Sequence, residues 1–392
     1  MDPLVLARAQ MGLSLAFHIV FAALGVGLPL VLVLADLAAR RTGDAHYERL
    51  ARRMAKGTAV LFAVGAVSGT VLSIELGLLW PELMRRFGAV IGPLFALEGF
   101  AFFTEAIFLG IYLYGRERAP RALHFASGVI VAVSGAASAA FVTVVNAFMN
   151  GPVEVVWSAD GRASLADPLS AFLAPSAPTQ IAHVLLSCYA VTAFAMCGIH
   201  AWFLLRGREI EFHRRALGLA LPLACATGLL MPLTGDLSAR HVGAHQPWKL
   251  GAMEAHYATQ AHAPLRIGGI PDDATGELHY GLEVPGALSL LVGGSTDAVV
   301  RGLDAVPRDE WPPVARTHVA FQLMVGCGTC LALVSIAALV VRMLRGRFPS
   351  DRRFLRVLVF VAPLATVAME AGWLVTEWGR QPFVVRGMLR TA

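Results

Sequence analysis

The sequence predicts an all-α integral membrane protein of about eight transmembrane helices, with short connections and one long polar loop. Three observations predict it. Hydrophobic residues fill 56% of the 392 positions and charged residues only 15%, whereas a soluble domain carries roughly 25% charged residues. Mean hydropathy is +0.63, and the apolar residues fall in long runs. The basic residues stand in short connections between those runs, so the net charge of +5 reads as a topology signal and argues against a nucleic-acid surface.

In chain order the runs are 11–36, 57–80, 93–115, 122–149, 179–205, 216–234, 314–342 and 354–376. A span needs about 20 residues at about 1.5 Å each. Residues 82–92 read as a short interfacial piece before the third run. Residues 235–313, rich in Gly, Pro, Asp and His, read as a loop outside the membrane. The chain therefore divides into spans 1–6 (1–234), the loop (235–313) and spans 7–8 with the C-terminal turn (314–392). No basic segment precedes the first run, so no cleaved signal peptide is expected. The first, third, fifth and seventh connections hold the arginines, among them Arg40, Arg53, Arg116, Arg118, Arg206, Arg215, Arg345 and Arg353. Basic loops stay in the cytoplasm, which puts both termini and the 235–313 loop outside.

Polar residues inside the runs carry the functional signal. His18, Glu98, Glu105, His183, Met324 and Glu377 come from five spans, and all are expected in the outer half of the bilayer. An ionisable group at the bilayer centre costs about 2.5–3.5 kcal/mol on insertion scales, so it is kept for a ligand, a proton path or a partner. Taken alone, Met324 would be core filler and either histidine a packing residue. Together, His and Met are axial haem ligands, and a Met/His pair raises reduction potential. The five cysteines, including Cys327 and Cys330 in a C-x-x-C spacing, lie within apolar runs and read as packing residues. The loop histidines His241, His245, His256, His262 and His279 match no tight metal-ligand spacing.

Several segments together resemble cytochrome bd quinol oxidase subunit I. Gly372 to Pro382 resembles its G-W-x-x-x-E-x-G-R-Q-P signature. Gly235-Asp236, Gln246-Pro247-Trp248-Lys249-Leu250 and Glu254 resemble its quinol-loop motif. Phe321-Gln322-Leu323-Met324-Val325-Gly326 resembles the segment of its ligand methionine, and Leu97 to Glu105 its paired-glutamate helix. Gly77 to Pro81 and Asn146-Ala147-Phe148-Met149 add weaker matches. The matches run in order from about residue 5 to the end and admit placement in the cyanide-insensitive-like branch.

The resemblance implies an electrogenic, non-pumping quinol oxidase of a prokaryotic cytoplasmic membrane, with a short extracytoplasmic quinol loop. His183 and Met324 would ligate a low-spin haem b (b558-type). His18 and Glu377 would ligate the two high-spin haems, a haem b (b595-type) and a haem d or third haem b. Glu98 and Glu105 would line the haem edge and a cytoplasmic proton route. Lys249, Glu254, Asp236 and Gln246 would serve quinol, ubiquinol or menaquinol. Arg380 would pair with a propionate, Trp373 would stand between cofactors, and Gln322 would border the low-spin haem. Implied partners are quinol, dioxygen, the lipid bilayer and a large subunit II; a small single-span subunit is also compatible.

The sequence departs from the family pattern in four places. It ends at Ala392, where typical members continue into a further transmembrane helix; a shortened homologue, a truncated sequence and replacement by a partner subunit all fit. Glu98 and Glu105 are seven apart where some members have eight, which still leaves them about 20° short of two full turns. Gln322 stands where some members have Arg, and Phe148 and Phe383 replace frequent tryptophans. Two further readings remain beside the oxidase. One is a haem-bearing subunit that relays electrons from quinol without reducing oxygen. The other is a haem-free transporter, for which midplane binding groups would be expected.

Overall fold

Each apolar run folds as one helix that extends beyond the run. The computed structural model describes residues 3–172 and 174–391. Its long helices are α1 (Pro3–Thr42), α2 (Ala45–Leu79), α3 (Pro81–Tyr114), α4 (Arg121–Asn150), α5 (Ala177–Leu205) and α6 (Ile210–His245). Two short helices, α7 (Pro247–Glu254) and α8 (Ala287–Gly293), precede the last long pair, α9 (Val314–Arg345) and α10 (Arg352–Trp378). All eight long helices are long and apolar enough to cross a membrane. Local chemistry sets several boundaries. Asp44 caps α2 by accepting from the His46 N–H, and Asp351 caps α10 by accepting from the Arg353 and Phe354 N–H groups. Pro81 opens α3, where its missing N–H costs nothing.

Two sequence expectations are corrected. Residues 82–92 are the first turns of α3, because Leu83, Phe87, Val90 and Ile91 bury against Val144, Ala147 and Phe148 of α4. The helix runs through Pro93 without a break. Residues 235–245 likewise belong to α6 and not to the loop.

Helices α5, α6, α9 and α10 share one core with α1, built around Phe194, Phe212, Leu221 and Leu358. Small residues let the backbones approach. A Cβ on Gly27 would run into Thr192, one on Gly198 into Ala362, and one on Gly228 into Ser335. Such close crossings drive association where lipid removes the hydrophobic incentive. Ion pairs gather the basic connections at one end. Arg116 pairs with Glu48, Arg215 with Asp44 at 2.8 Å, and Arg49 with Glu209 at 3.1 Å.

The opposite end carries the irregular chain. Strands β1 (Val156–Trp157) and β2 (Ala163–Ser164) pair antiparallel there. In the long connection, β3 (Leu265–Ile267) pairs with β6 (Leu282–Val284) and encloses a second ribbon of β4 (Ile270–Asp272) and β5 (Glu277–His279). The C-terminal ribbon, β7 (Phe383–Val385) with β8 (Leu389–Arg390), closes over α4, where the Arg386 N–H donates to the Met149 carbonyl.

Candidate functional site

The two candidate ligand histidines sit in matching surroundings. His18 of α1 shares a 2.8 Å hydrogen bond between its Nδ1 and the Ser68 hydroxyl of α2. His183 of α5 shares one of 3.0 Å with the Thr234 hydroxyl of α6. Each hydroxyl gives its own hydrogen to a backbone carbonyl one turn back, Ser68 to Val64 and Thr234 to Met231. Each can therefore accept from Nδ1–H, which leaves the Nε2 lone pair free to bind a metal. A glycine follows each hydroxyl residue and faces the ring. A Cβ on Gly69 would lie 3.4 Å from His18 Cε1, and one on Gly235 3.7 Å from His183 Cε1.

Met324 meets the same provision from α10. A Cβ on Gly372 would stand 2.9 Å from its sulfur. His183, Thr234, Met324 and Gly372 thus lie on α5, α6, α9 and α10, the four helices of the main core. The three glycines give the candidate ligand side chains room to pack, and the two free Nε2 lone pairs fit an iron-bearing group.

Glu377 ends α10 and is held from two sides. Arg380 Nη2 donates to its Oε2 at 2.6 Å, and Asn146 Nδ2 of α4 donates to its Oε1 at 3.3 Å. Arg380 is 5% exposed, and its Nε and Nη1 are buried with no partner. Buried guanidinium donors left open cost free energy unless an anion meets them, so this arginine fits a propionate. Asn150, one turn beyond Asn146, donates to Asn146 and accepts from Lys249 Nζ at 3.0 Å.

Helix α4 also gives the depth of the glutamates. Ser138 donates to Glu98 at 3.2 Å, and a Cβ on Gly135 would lie 3.4 Å from Glu105. Along α4, position 138 lies about 12 Å from position 146, which meets Glu377, and position 135 about 16 Å from it. Glu98 and Glu105 are therefore deeper than Glu377. The start of α3 at Pro81 accounts for this depth: Glu98 lies 17 and Glu105 24 residues from that end, against five and twelve from residue 93.

The loop residues separate. Lys249 and Glu254 are five apart on α7, about 140° around the helix, and they face different neighbours. Lys249 turns to α4 and Gly379, and burial lowers its ammonium to about 7. Glu254 turns towards Arg266, is 2% exposed, and burial raises its carboxyl to about 7, with one oxygen unpartnered. Gln246, at the α6–α7 junction, is buried with a free side-chain oxygen. Asp236 forms a 2.8 Å ion pair with Arg240 on α6. Gln322 is committed to the loop: its Nε2 donates to the Arg266 carbonyl at 2.8 Å and its Oε1 accepts from the Gly268 N–H at 3.0 Å. Trp373 is half-buried on α10.

Sequence reasoning missed several members of this site. Ser68 and Thr234 are ordinary residues in a sequence; their only common signal is a glycine directly after each. Asn146 entered only as a weak match, and Asn150 shows its role only once Lys249 lies beside it. Glu75, 6% exposed, accepts from Gln10 at 3.0 Å and Ser14 at 2.8 Å on the His18 face of α1. Glu370, two turns before Glu377, has a buried oxygen without a partner. Both are charged residues inside apolar runs, a signal that could have found them.

Comparison with known proteins bears on this arrangement. The family described as cytochrome bd terminal oxidase subunit I matches residues 6–392. A Bacillus subtilis (strain 168) protein, provisionally named cytochrome bd menaquinol oxidase subunit I, is 40% identical over all of this chain and 89% of its own length. The cytochrome bd ubiquinol oxidase subunit 1 of the same organism is 29% identical over all of this chain and 86% of its own. The solved bd oxidase of Geobacillus thermodenitrificans superposes with a TM-score of 0.92 at 41% identity, covering all of this chain and 90% of that one.

Proposed function

The chain belongs to the cytochrome bd terminal oxidase subunit I family, and from that premise we propose that it is the haem-bearing subunit of a quinol:oxygen oxidoreductase. The observation that carries the reading is the repeated cradle, in which a hydroxyl and a glycine from the next helix prepare His18 and His183 alike. When bound, haem supplies the one-electron relay from quinol and the iron at which oxygen becomes water. His183 and Met324 would hold a low-spin haem b (b558-type). His18 and Glu377 would serve the high-spin pair, a b595-type haem b with a haem d or third haem b. Arg380 would meet a propionate with its two open donors.

The chain's own residues handle protons. Quinol gives up two protons with its two electrons, and Glu254 would accept one at the outer face. A carboxyl near pH 7 is suited to that task, since it exchanges protons at working pH. Because Glu254 is raised to about 7, its basic form grows as pH rises through that value. We expect kcat/KM for quinol to increase with pH across about 6 to 8 and Glu254→Gln to abolish that limb; a pH profile of quinol oxidation checks both. Lys249, lowered to about 7, loses its charge over the same interval and would tie the loop to Asn150 in its charged form.

Glu105 and Glu98 would bring protons from the side of the basic connections, which we assign to the cytoplasm. Uptake inside and release outside would make the reaction electrogenic without a pump. A Glu105→Gln variant is expected to slow oxygen reduction by about 100-fold; full turnover would remove Glu105 from the route. The setting we assign is a prokaryotic cytoplasmic membrane, with subunit II and, in some assemblies, a small single-span subunit as neighbours. Reduced-minus-oxidised and CO-difference spectra of the purified protein test the whole reading. A low-spin signal without a CO-binding haem would replace it with simple electron relay, and no haem signal would leave a transporter.

A further inference from the structure

His318 of α9 is fully buried, at 0% exposure, and both of its ring nitrogens meet backbone carbonyls. Nδ1 lies 2.8 Å from the Met253 carbonyl and Nε2 2.9 Å from the Gly268 carbonyl. A carbonyl oxygen only accepts, so each nitrogen must carry a hydrogen for both bonds to form. A ring with one hydrogen could donate to only one of the two carbonyls and would turn a lone pair onto the other.

One helical turn further along α9, Gln322 spends both ends of its amide on the same loop, at the Arg266 carbonyl and the Gly268 N–H. The turn it grips is built to be held closely: Gly268 and Gly269 take φ of +67° and +89°, conformations open to glycine. Two side chains of α9 thus bind four backbone groups at the two edges of the loop segment 253–268. Met253 is the residue before Glu254, whose free oxygen lies within the segment so held. Charged and titratable groups around it are Arg266, which reaches the Ala255 carbonyl, its partner Glu283 at 2.9 Å, and buried His256. The same helix carries Met324, six residues or about 9 Å further on.

We propose that His318 is the positioning residue of the quinol site: a doubly donating imidazolium that fastens Met253 and Gly268 to α9 and so holds Glu254 at a fixed place relative to the Met324 helix. The ring acts through the backbone beside the carboxylate and not on the carboxylate itself. The inference rests on the reading of this loop as the quinol site.

The test uses the assembled holoenzyme with His318→Phe, which keeps the ring's bulk and removes both donors, and His318→Gln, whose amide NH2 can keep one of the two bonds. We expect His318→Phe to raise the KM for quinol by roughly tenfold or more with a smaller fall in kcat, and to speed hydrogen exchange at backbone amides of 253–268. His318→Gln should lie between wild type and His318→Phe in both. Unchanged KM and exchange in His318→Phe would overturn the proposal. Should His318→Phe fail to assemble, nitrogen-15 spectra of histidine-labelled wild type decide. A ring with hydrogen on both nitrogens that vanishes in His318→Gln supports the clamp, and spectra holding only singly protonated rings overturn it. Exchange and spectra do not depend on turnover. A wild type that fails to oxidise quinol while the loop still loosens in His318→Phe would defeat the quinol reading and leave the clamp standing.

Discussion

Replacing His183 by leucine is expected to erase the low-spin haem b spectrum, keep a CO-binding high-spin signal, and cut quinol-driven oxygen uptake by more than about 100-fold. That figure exceeds the loss of about 10- to 100-fold that follows removal of a hydrogen bond supporting a metal ligand. The selectivity follows from which helices face which ligands. His183 looks onto Thr234 and Gly235 of α6, and Met324 looks onto Gly372 of α10. His18 instead faces Ser68 of α2, and Glu377 is fastened to Asn146 of α4. A smaller change at the same place, Thr234→Val, removes the acceptor of Nδ1–H while leaving Nε2, so it should loosen retention of the low-spin haem without abolishing it. Optical spectra of the two variants check the order; an unaltered low-spin spectrum in His183→Leu would remove this residue from the ligand set.

Arg380→Leu is expected to be nearly as severe, with the damage on the other side of the site. Glu377 would keep a single 3.3 Å contact from Asn146 after losing the 2.6 Å bond to the guanidinium. Removing one partner of a fully buried ion pair costs about 3–5 kcal/mol; with the Glu377 side chain 24% exposed, solvent offsets part of that loss. The two open donors of Arg380 would vanish as well. The variant should therefore lose high-spin haem, read as haem per protein and as the amplitude of the CO-difference spectrum, and oxygen reduction should fall to background. Arg380→Lys restores one charge without the planar fork and should lie between the two. Full haem content in Arg380→Leu would show that the guanidinium does not hold a propionate.

Much of this was legible in the sequence, for reasons that differ by residue. The eight spans could be read because a bilayer demands about 20 apolar residues in a row whatever the neighbours are. His18 and His183 stood out because ionisable groups in such runs are costly, and Met324 and Glu377 because their segments resemble family motifs. The first turns of α3 were misread because Glu82, Arg85 and Arg86 break the apolar run; in the folded chain those side chains pair with one another at 2.5–2.7 Å, while Leu83 and Phe87 bury against α4. For Gln322 the sequence held no sign that both ends of its amide bind the loop.

Length, hydropathy and charge placement by themselves determined the membrane class, the number of spans and the end at which the basic connections gather. These are sums over a single stretch of chain, so no partner helix is needed to read them. Tertiary structure alone decided which hydroxyl meets which imidazole, that Asn146 and Asn150 connect Glu377 to Lys249, that Glu98 and Glu105 lie deeper than Glu377, and that α9 grips the loop through His318 and Gln322. A hydrogen bond acts over about 3 Å, and residues as far apart as His318 and Met253 reach that range only when helices pack in one particular order. Neither residue records that order in its own stretch of sequence.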